Sequence, residues 1–197
     1  MINLHNLDKH HAVLTAFKTP EYEKKDGKET GRVNLVFSLA FYSEDYGKRE
    51  REISRFIQAI REAELVFRGV TYEGEFSVKE RATISPGVEE ITCEGSAFRV
   101  LTRETLEITG ERTIMNRGNW KVPCTVIATK ACEVSGLTEK PMKIKGAVTI
   151  TDDGRILKPD GSNGSMLVEL WQFPRLKAGM STIRTTAPIT LTYRGRL

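Results

Sequence analysis

The chain has 197 residues, of which 39% are hydrophobic and 28% charged, and its formal net charge is +4. This length is enough for one large domain or two of about 100 residues. The small basic excess is spread along the chain, which argues against a dedicated nucleic-acid-binding protein. The polar first residues and the short apolar runs predict neither a cleaved signal peptide nor a membrane-spanning helix.

The first clear element is the segment 32–42, in which apolar residues alternate with polar ones. Period-two alternation is typical of a β-strand with one face in a core. Ser43, Glu44 and Asp45 follow, and they supply the capping oxygen and negative charge that favour a helix start. These residues predict a strand that leads directly into a helix.

A helix is predicted over 49–63, with a start at about residue 46. Ile53, Phe56, Ile57 and Ile60 follow the i, i+3, i+4, i+7 spacing of a single apolar stripe. The opposite face is polar, with Arg51, Arg55, Gln58 and Glu62. The helix therefore packs one side against a sheet and presents the other to solvent or to a subunit interface.

Short strands account for the rest of the first half. The segment 64–76 predicts two strands with a break at Gly69, and 77–101 predicts two more around the turn at residues 85–87. The charged segment 21–31 predicts an exposed loop. Because 103–113 is polar and contains Gly110, we place the boundary between two domains there, as 1–107 and 108–197.

The second half is predicted to be entirely β. The segment 143–150 predicts one strand with Ile144, Gly146, Val148 and Ile150 on one face, and 189–193 alternates in the same way. Asp153–Gly154 and Asp160–Gly161 indicate turns. Several short strands at this spacing predict a β-sandwich. The predicted fold class is thus mainly β with one amphipathic helix, in two domains.

The three cysteines predict packing rather than chemistry. Cys93, Cys124 and Cys132 form no C-x-x-C pair, so a zinc site is disfavoured. Cys124 and Cys132 lie eight residues apart with alternating neighbours, which predicts small core residues on one strand face. The interpretation agrees with folding in a reducing cytoplasm.

Catalytic and metal-binding groups are scarce. The histidines, His5, His10 and His11, all lie near the N-terminus, without the partners of a metal site or a catalytic triad. Glu89–Glu90 and Asp152–Asp153 are adjacent pairs that point to opposite faces of a strand, unlike the converging carboxylates of a glycosidase. No phosphate-binding glycine motif occurs. We therefore predict a protein that is not an enzyme, with no catalytic residues.

Two ligand hypotheses remain as minor alternatives. Asp152, Asp153, Asp160 and Asn163 would bind calcium if their loops met, although their spacing is not that of an EF-hand. Large aromatic residues near turns suit stacking on sugars but more often pack in a core or an interface. They are Trp120, Trp171 and Phe173. We predict no metal or cofactor-binding residues and no cofactor.

Several short motifs occur in a recognisable order along the chain. In the first half, Tyr72, Gly74 and Phe76 form Y-x-G-x-F after the strand and helix. The motifs of the second half are Asn116, Gly118 and Pro123; then Gly154, Arg155 and Ile156; then Phe173, Pro174, Leu176, Gly179, Ser181 and Ile183; and last Thr192 to Arg196. In this order the chain resembles the distal tail proteins of long-tailed, non-contractile phages, especially those of Gram-positive hosts.

The resemblance implies a ring-forming β domain followed by a galectin-like β-sandwich. It implies a closed ring, usually a hexamer, at the virion tail tip, assembled in the cytoplasm of the host bacterium. The ring would join the tail tube protein to the tail-tip or baseplate hub and its tail-associated lysin, and would offer a docking face to receptor-binding proteins. It implies no membrane partner, and DNA would only pass through the lumen. A tail-derived bacteriocin particle would have the same part.

Two features depart from the family pattern, and other functions compete. The second domain lacks the long inserted arm that some members use to hold receptor-binding proteins, and the segment before Arg32 is only loosely similar. The main alternative is a carbohydrate-binding module that recognises cell-wall glycan through Trp120 and Trp171. A wall hydrolase is disfavoured because the sequence lacks an acid–base constellation.

Overall fold

The computed structural model describes residues 1–25, 28–61 and 64–197. The chain divides into two compact units, unit 1 (Met1–Val100) and unit 2 (Leu101–Leu197). The predicted boundary between residues 107 and 108 falls within the same long strand as this division and stays a prediction. The described residues are mainly β with one α-helix, which confirms the predicted fold class.

Unit 1 is an antiparallel sheet covered by a helix. Its elements are β1 (Ile2–Asn3), β2 (Ala12–Phe17), β3 (Glu21–Lys25), β4 (Lys28–Tyr42), α1 (Tyr46–Ile60), β5 (Glu64–Phe67), β6 (Val70–Ser85) and the first part of β7 (Val88–Asn116). The strand order is β1-β5-β6-β7-β4, and β2 and β3 both pair with the remaining edge of β4. Among the described strands of unit 1, only β1 and β5 pair in parallel. A short 3-10 turn, Asp8–His10, precedes β2.

The described residues of the segment 21–31 lie in two paired strands, β3 and β4, rather than in the predicted loop. Glu21 pairs with Asn34 and Lys24 with Glu29, so β3 folds back on a longer β4 than the apolar pattern indicated. The loop prediction was wrong because charge predicts exposure and not backbone conformation: an exposed strand at a sheet edge carries the same charged residues as a loop. Residues 26 and 27 of that prediction lie outside the described residues.

The helix begins where it was predicted. Asp45 caps it, since its Oδ1 accepts a hydrogen bond of 2.9 Å from the main-chain nitrogen of Lys48. Ile53, Phe56 and Ile60 are fully buried, whereas Ile57 lies at the rim of the apolar stripe. The helix ends at Ile60, and Glu62 and Ala63 of the prediction lie outside the described residues. The stripe packs on the sheet face that carries Phe37, Leu39 and Phe41.

Unit 2 has its own hydrophobic core, built from many short strands. These are β8 (Val122–Ala128), β9 (Cys132–Ser135), β10 (Met142–Ile144), β11 (Val148–Ile150), β12 (Ile156–Leu157), β13 (Val168–Glu169), β14 (Arg175–Leu176) and β15 (Gly179–Arg196). β8 pairs with β15 and β11, and β9 pairs with β15 and β10. The predicted alternation in 189–193 is confirmed, because Ile189, Leu191 and Tyr193 are all buried.

Two predicted strands are in fact pairs of strands. Residues 143–150 divide into β10 and β11, which pair with different neighbours. Cys124 and Cys132 likewise lie in separate strands, β8 and β9, although both are buried as predicted. Both errors have one cause: the period-two pattern continues through the connecting turn, because the strands on either side face the same core.

Candidate assembly edges and surface sites

Four strands of unit 1 lie side by side, and one residue from each belongs to the same row of paired residues across the sheet. The register runs from Leu14 in β2 to Leu39 in β4, then to Ile91 in β7 and Arg81 in β6. Among the described residues, β2 pairs only with β4, and the part of β6 after Glu73 pairs only with β7. This four-stranded segment therefore has an open edge on each side, one on β2 and one on β6.

The open edge of β2 borders a cleft of about 780 Å³. Every residue from Ala12 to Phe17 lines this cleft. Since neighbouring side chains of a strand point to opposite faces, a cavity lined by all of them faces the edge of the strand and its main-chain groups. The far wall includes Leu4, Phe67 and Val70. The cleft is thus shaped for an extended strand beside β2.

Aromatic stacking and a strained arginine shape the mouth of the cleft. The rings of Phe17 and Phe67 stack with centroids 3.8 Å apart, and the ring of His5 stacks on Phe67 at 4.7 Å. Arg68 has φ of 48°, a conformation that costs energy for any residue other than glycine, and its guanidinium lies 5.2 Å above the Phe67 centroid. The predicted break at Gly69 is this turn between β5 and β6.

A charge network centred on the buried residues Arg49 and Glu89 joins α1 to the hairpin of β6 and β7. Glu89 is only 6% exposed and binds Arg81 as well as Arg49, whose Nε lies 3.5 Å from Glu89 Oε2. Arg81 also reaches Glu50 on the helix. The hydrogen bond from Arg81 is the main cause that lowers the pKa of Glu89, and Arg49 lowers it further, against the effect of burial. The network fixes the turn end of the β6–β7 hairpin against α1.

The sheet face opposite α1 is polar. Thr15 Oγ1 donates a 2.7 Å hydrogen bond to Glu90, Ser38 and Thr92 hydroxyls lie 2.9 Å apart, and Lys79 binds Glu94 at 2.7 Å. Glu89 and Glu90 therefore do point to opposite faces, as predicted, and each has its own partners. Sequence reasoning missed Arg49 and Arg81, which sit among many other charged residues and show no distinguishing pattern.

The histidines serve as packing groups in unit 1. His10 lies edge-on to Phe56 with centroids 5.4 Å apart, and burial lowers its pKa. His11 has φ of 49° at the turn before β2. No group of three metal-ligating side chains occurs among the described residues. The part of the chain that the structure describes also contains no helix long and apolar enough to span a membrane.

Asp153 and Asp160, in the turns of unit 2, each have local hydrogen-bond partners. Asp153 accepts a hydrogen bond from Thr151 and pairs with Arg155 at 2.7 Å, and Asp160 Oδ1 accepts bonds from the nitrogen and hydroxyl of Ser162. Asn163 Oδ1 accepts a 2.8 Å bond from the Ser165 nitrogen. These contacts are turn chemistry, and they do not bring the four residues of the calcium hypothesis together around one point.

The aromatic residues of unit 2 differ in their surroundings. Trp120 is half-buried, whereas Trp171 is 79% exposed and its ring is covered on one side by Lys140, with Nζ 4.0 Å from the centroid. Phe173 is 40% exposed and borders a second cavity. The two tryptophans named as a sugar-binding pair thus lie in unlike environments, one packed and one carrying a lysine.

The three thiols are inert packing groups. Cys93 and Cys124 are fully buried, and burial raises the pKa of each to about 12. Burial also raises the pKa of Cys132, although Thr185 opposes the shift. A thiol with so high a pKa is protonated at neutral pH and a poor nucleophile or metal ligand.

The motif residues that suggested a family hold the backbone together. Asn116 Nδ2 donates to the carbonyls of Trp120 and Lys177 at 3.1 Å each, and its Oδ1 accepts from Gly118 at 3.0 Å. A β-carbon on Gly118 would come within 2.5 Å of the Arg196 main chain, so only glycine fits there. The N-x-G motif therefore ties the start of unit 2 to its last strand.

No protein-family model and no curated protein sequence matches this chain. Among solved structures, the chain is similar to the Dit protein (gp 19.1) of SPP1, described as a paradigm of the hub adsorption apparatus in phages that infect Gram-positive bacteria. The TM-score is 0.65 at 12% sequence identity, over 96% of this chain and 95% of that chain. The resemblance to distal tail proteins is thus confirmed at the level of the fold.

Proposed function

We propose that this chain is a structural component of a phage tail tip, or of a tail-derived bacteriocin, that forms a closed ring. The ring, of six copies, joins the tail tube protein to the tail-tip or baseplate hub and its tail-associated lysin. Unit 1 builds the ring, and unit 2, a galectin-like β-sandwich, offers a docking face to receptor-binding proteins. The protein has no catalytic role, and DNA passes through the lumen without being bound.

The observation that carries the ring is the pair of open strand edges in unit 1. A sheet segment with one free edge on β2 and another on β6, at the same level, is complementary to a second copy of itself in a head-to-tail orientation. Such a heterologous contact forms a ring if the rotation between copies closes. Long open edges are otherwise avoided in monomers because they invite uncontrolled pairing.

The surroundings of the two edges support the same arrangement. The cleft beside β2 leaves room for a strand, while the β6 edge belongs to a hairpin that Glu89, Arg49 and Arg81 hold against α1. A rigid strand edge and a preformed cleft lose little conformational entropy on pairing. The fold similarity to an SPP1 hub protein gives the biological setting for such a ring.

Cysteine cross-linking tests the edge-to-edge contact. Ala16 in β2 and Ala82 in β6 are exposed and pair with Ser38 and Glu90, so both lie on the polar sheet face. We expect the double variant Ala16→Cys/Ala82→Cys, treated with a short bismaleimide, to give a ladder of covalent oligomers that ends at six copies. The buried native thiols will not take part.

The single variants Ala16→Cys and Ala82→Cys are the matched controls and should not give a ladder. If the double variant cross-links no more than the singles, the proposed contact is wrong. If native mass spectrometry at about 100 μM and negative-stain images with purified tube or hub protein show only monomers, the ring itself is wrong.

A further inference from the structure

A second cavity, of about 390 Å³, opens on the surface of unit 2. Residues 154–157, from the turn between β11 and β12 into β12, form one wall, Asn163 and Ser165 form another, and Phe173 closes a third side. Its volume is at the small end of the range for cavities that bind small organic ligands, about 300–1,000 Å³. It is separate from the cleft and strand edges of unit 1, on which the proposed ring depends.

Phe173 gives this cavity a flat apolar wall. Its ring lies against Gly154, where an added β-carbon would be 3.8 Å from the ring atoms Cε2 and Cζ. Gly154 has φ of 87°, which disfavours any other residue, so the ring rests directly on the turn. An aromatic ring that is supported on one side and 40% exposed can stack against a flat ligand without moving.

Hydrogen-bonding groups with fixed positions surround this wall. The Arg155 guanidinium is held by Asp153 at 2.7 Å, and the Arg155 main-chain nitrogen donates a 2.9 Å bond to Thr151 Oγ1. The Asn163 oxygen is engaged by the Ser165 nitrogen at 2.8 Å. The amide NH₂ of Asn163 has no hydrogen-bond partner among the described residues. Arg155 and Asn163, which both line the cavity, thus present donors beside the ring.

We propose that this cavity binds a mono- or disaccharide. The C–H face of a sugar ring stacks on Phe173, and its hydroxyl groups accept hydrogen bonds from Arg155 and Asn163. A purely apolar occupant would cover the Asn163 amide and the remaining Arg155 N–H groups without satisfying them, at a cost in affinity. This inference does not rest on the proposed ring, and it places sugar binding at Phe173 instead of at the tryptophans.

Saturation-transfer-difference NMR with the full chain tests the proposal. The probes are glucose, galactose, N-acetylglucosamine, cellobiose, lactose and chitobiose, and cyclohexanol is an apolar ring of similar size. We expect transfer to the ring C–H protons of at least one sugar, and little to cyclohexanol. Phe173→Ala should weaken the affinity by at least about tenfold, because the stacking surface is removed.

The matched control is Trp171→Ala, which removes a more exposed aromatic residue outside the cavity and should leave sugar binding unchanged. Asn163→Ala should weaken binding by about threefold to tenfold through one lost hydrogen bond. Thermal melting of each variant checks that unit 2 stays folded. Absence of binding for every sugar at about 20 mM, equal binding of cyclohexanol, or loss of binding in Trp171→Ala but not in Phe173→Ala would each overturn the proposal. None of these outcomes bears on the cross-linking result in unit 1.

Discussion

The two units bury polar groups of different kinds. Among the side chains of unit 1 that the structure describes, the buried polar ones are Arg49, Glu52 and Glu89, all of them charged. In unit 2 they are Asn116 and Thr185, both neutral. A buried charge is stable only while its partner is present and ionised, whereas a neutral amide needs only its hydrogen bonds. In unit 1, therefore, part of the dependence of stability on pH comes from buried charges, whereas the buried polar side chains of unit 2 do not titrate.

The net charges of the two units also differ. Residues 1–100 contain 15 Lys and Arg against 17 Asp and Glu, whereas residues 101–197 contain 15 against 9. The whole basic excess of the chain thus belongs to unit 2, which has a net charge of +6, while unit 1 has −2. A docking partner of unit 2 would gain in association rate from an acidic surface. Unit 1, with nearly balanced charges, suits contacts between identical copies.

The largest effect is expected from breaking the buried charge network of unit 1. Glu89→Ala leaves Arg49, itself buried, without its carboxylate partner, and a broken buried ion pair costs about 3–5 kcal/mol. We expect the free energy of opening of peptides from residues 1–100 to fall by about this amount. Hydrogen exchange detected by mass spectrometry measures it. Peptides from unit 2 provide the comparison within the same sample.

The adjacent residue supplies the control for this variant. Glu90 lies on the polar face and, within residues 1–25, 28–61 and 64–197, its carboxylate binds only Thr15, so Glu90→Ala should cost less than about 1 kcal/mol. Equal losses of stability in the two variants would show that the buried charges around Glu89 do not stabilise unit 1. The proposed difference between the two units would then be wrong.

A smaller loss of stability is expected from removing the buried amide of Asn116 in unit 2. Asn116 is 1% exposed and satisfies two carbonyls and one N–H group, so Asn116→Ala leaves three main-chain groups to find water. We expect the free energy of unfolding to fall by about 2–3 kcal/mol. Urea titration monitored by tryptophan fluorescence measures it. Both tryptophans lie in unit 2, so the signal reports on that unit. Asn119→Ala, at an exposed position in the same loop, should change it little.

The sequence was enough to predict the strands and the helix that face a core. It did not reveal the features that depend on strand pairing, such as open edges and contacts between distant residues. The alternation from Val33 to Phe41 and the stripe of Ile53, Phe56 and Ile60 mark buried faces directly. In contrast, an open strand edge is a property of main-chain groups, and no side-chain pattern records it. The link between Arg81 and Glu50 joins positions 31 residues apart, so only the folded chain reveals it.

The similarity to the SPP1 structure and the order of the sequence motifs indicate the same fold, because some motif residues occupy positions where the fold allows few alternatives. Asn116 and Gly118 are visible in the sequence because a buried amide and a close main-chain approach allow few other residues. The cavity at Phe173 was missed as a unit, because its walls come from segments whose residues each match ordinary turn chemistry. The sequence named Phe173 as an aromatic residue near a turn, Gly154, Arg155 and Ile156 as a motif and Asn163 as a candidate calcium ligand, but it gave no sign that they line one cavity.

The smallest expected effect is a difference in acid sensitivity between the units. The native pKa of Glu89 is lowered, chiefly by the hydrogen bond from Arg81, relative to about 4.3 in the unfolded chain. The stabilisation is therefore fully present above the unfolded pKa and is lost as pH falls through the native pKa. Between about pH 6 and pH 3, we expect unit 1 to lose protection against hydrogen exchange, after correction for the intrinsic rates.

Glu89→Gln tests whether this residue is the cause. The variant keeps the shape of the side chain but has no proton to gain, so unit 1 should be less stable at pH 6 and fall less steeply towards pH 3. Unit 2 also contains carboxyl groups with lowered pKa values, such as Glu111 beside Arg184 and Asp153 beside Thr151 and Arg155, but these groups are exposed. About 1 M salt should screen their contribution, since the Debye length is then about 3 Å. If unit 1 keeps its full acid dependence in Glu89→Gln, or if unit 2 shows the steeper fall in high salt, the buried charges do not distinguish the two units.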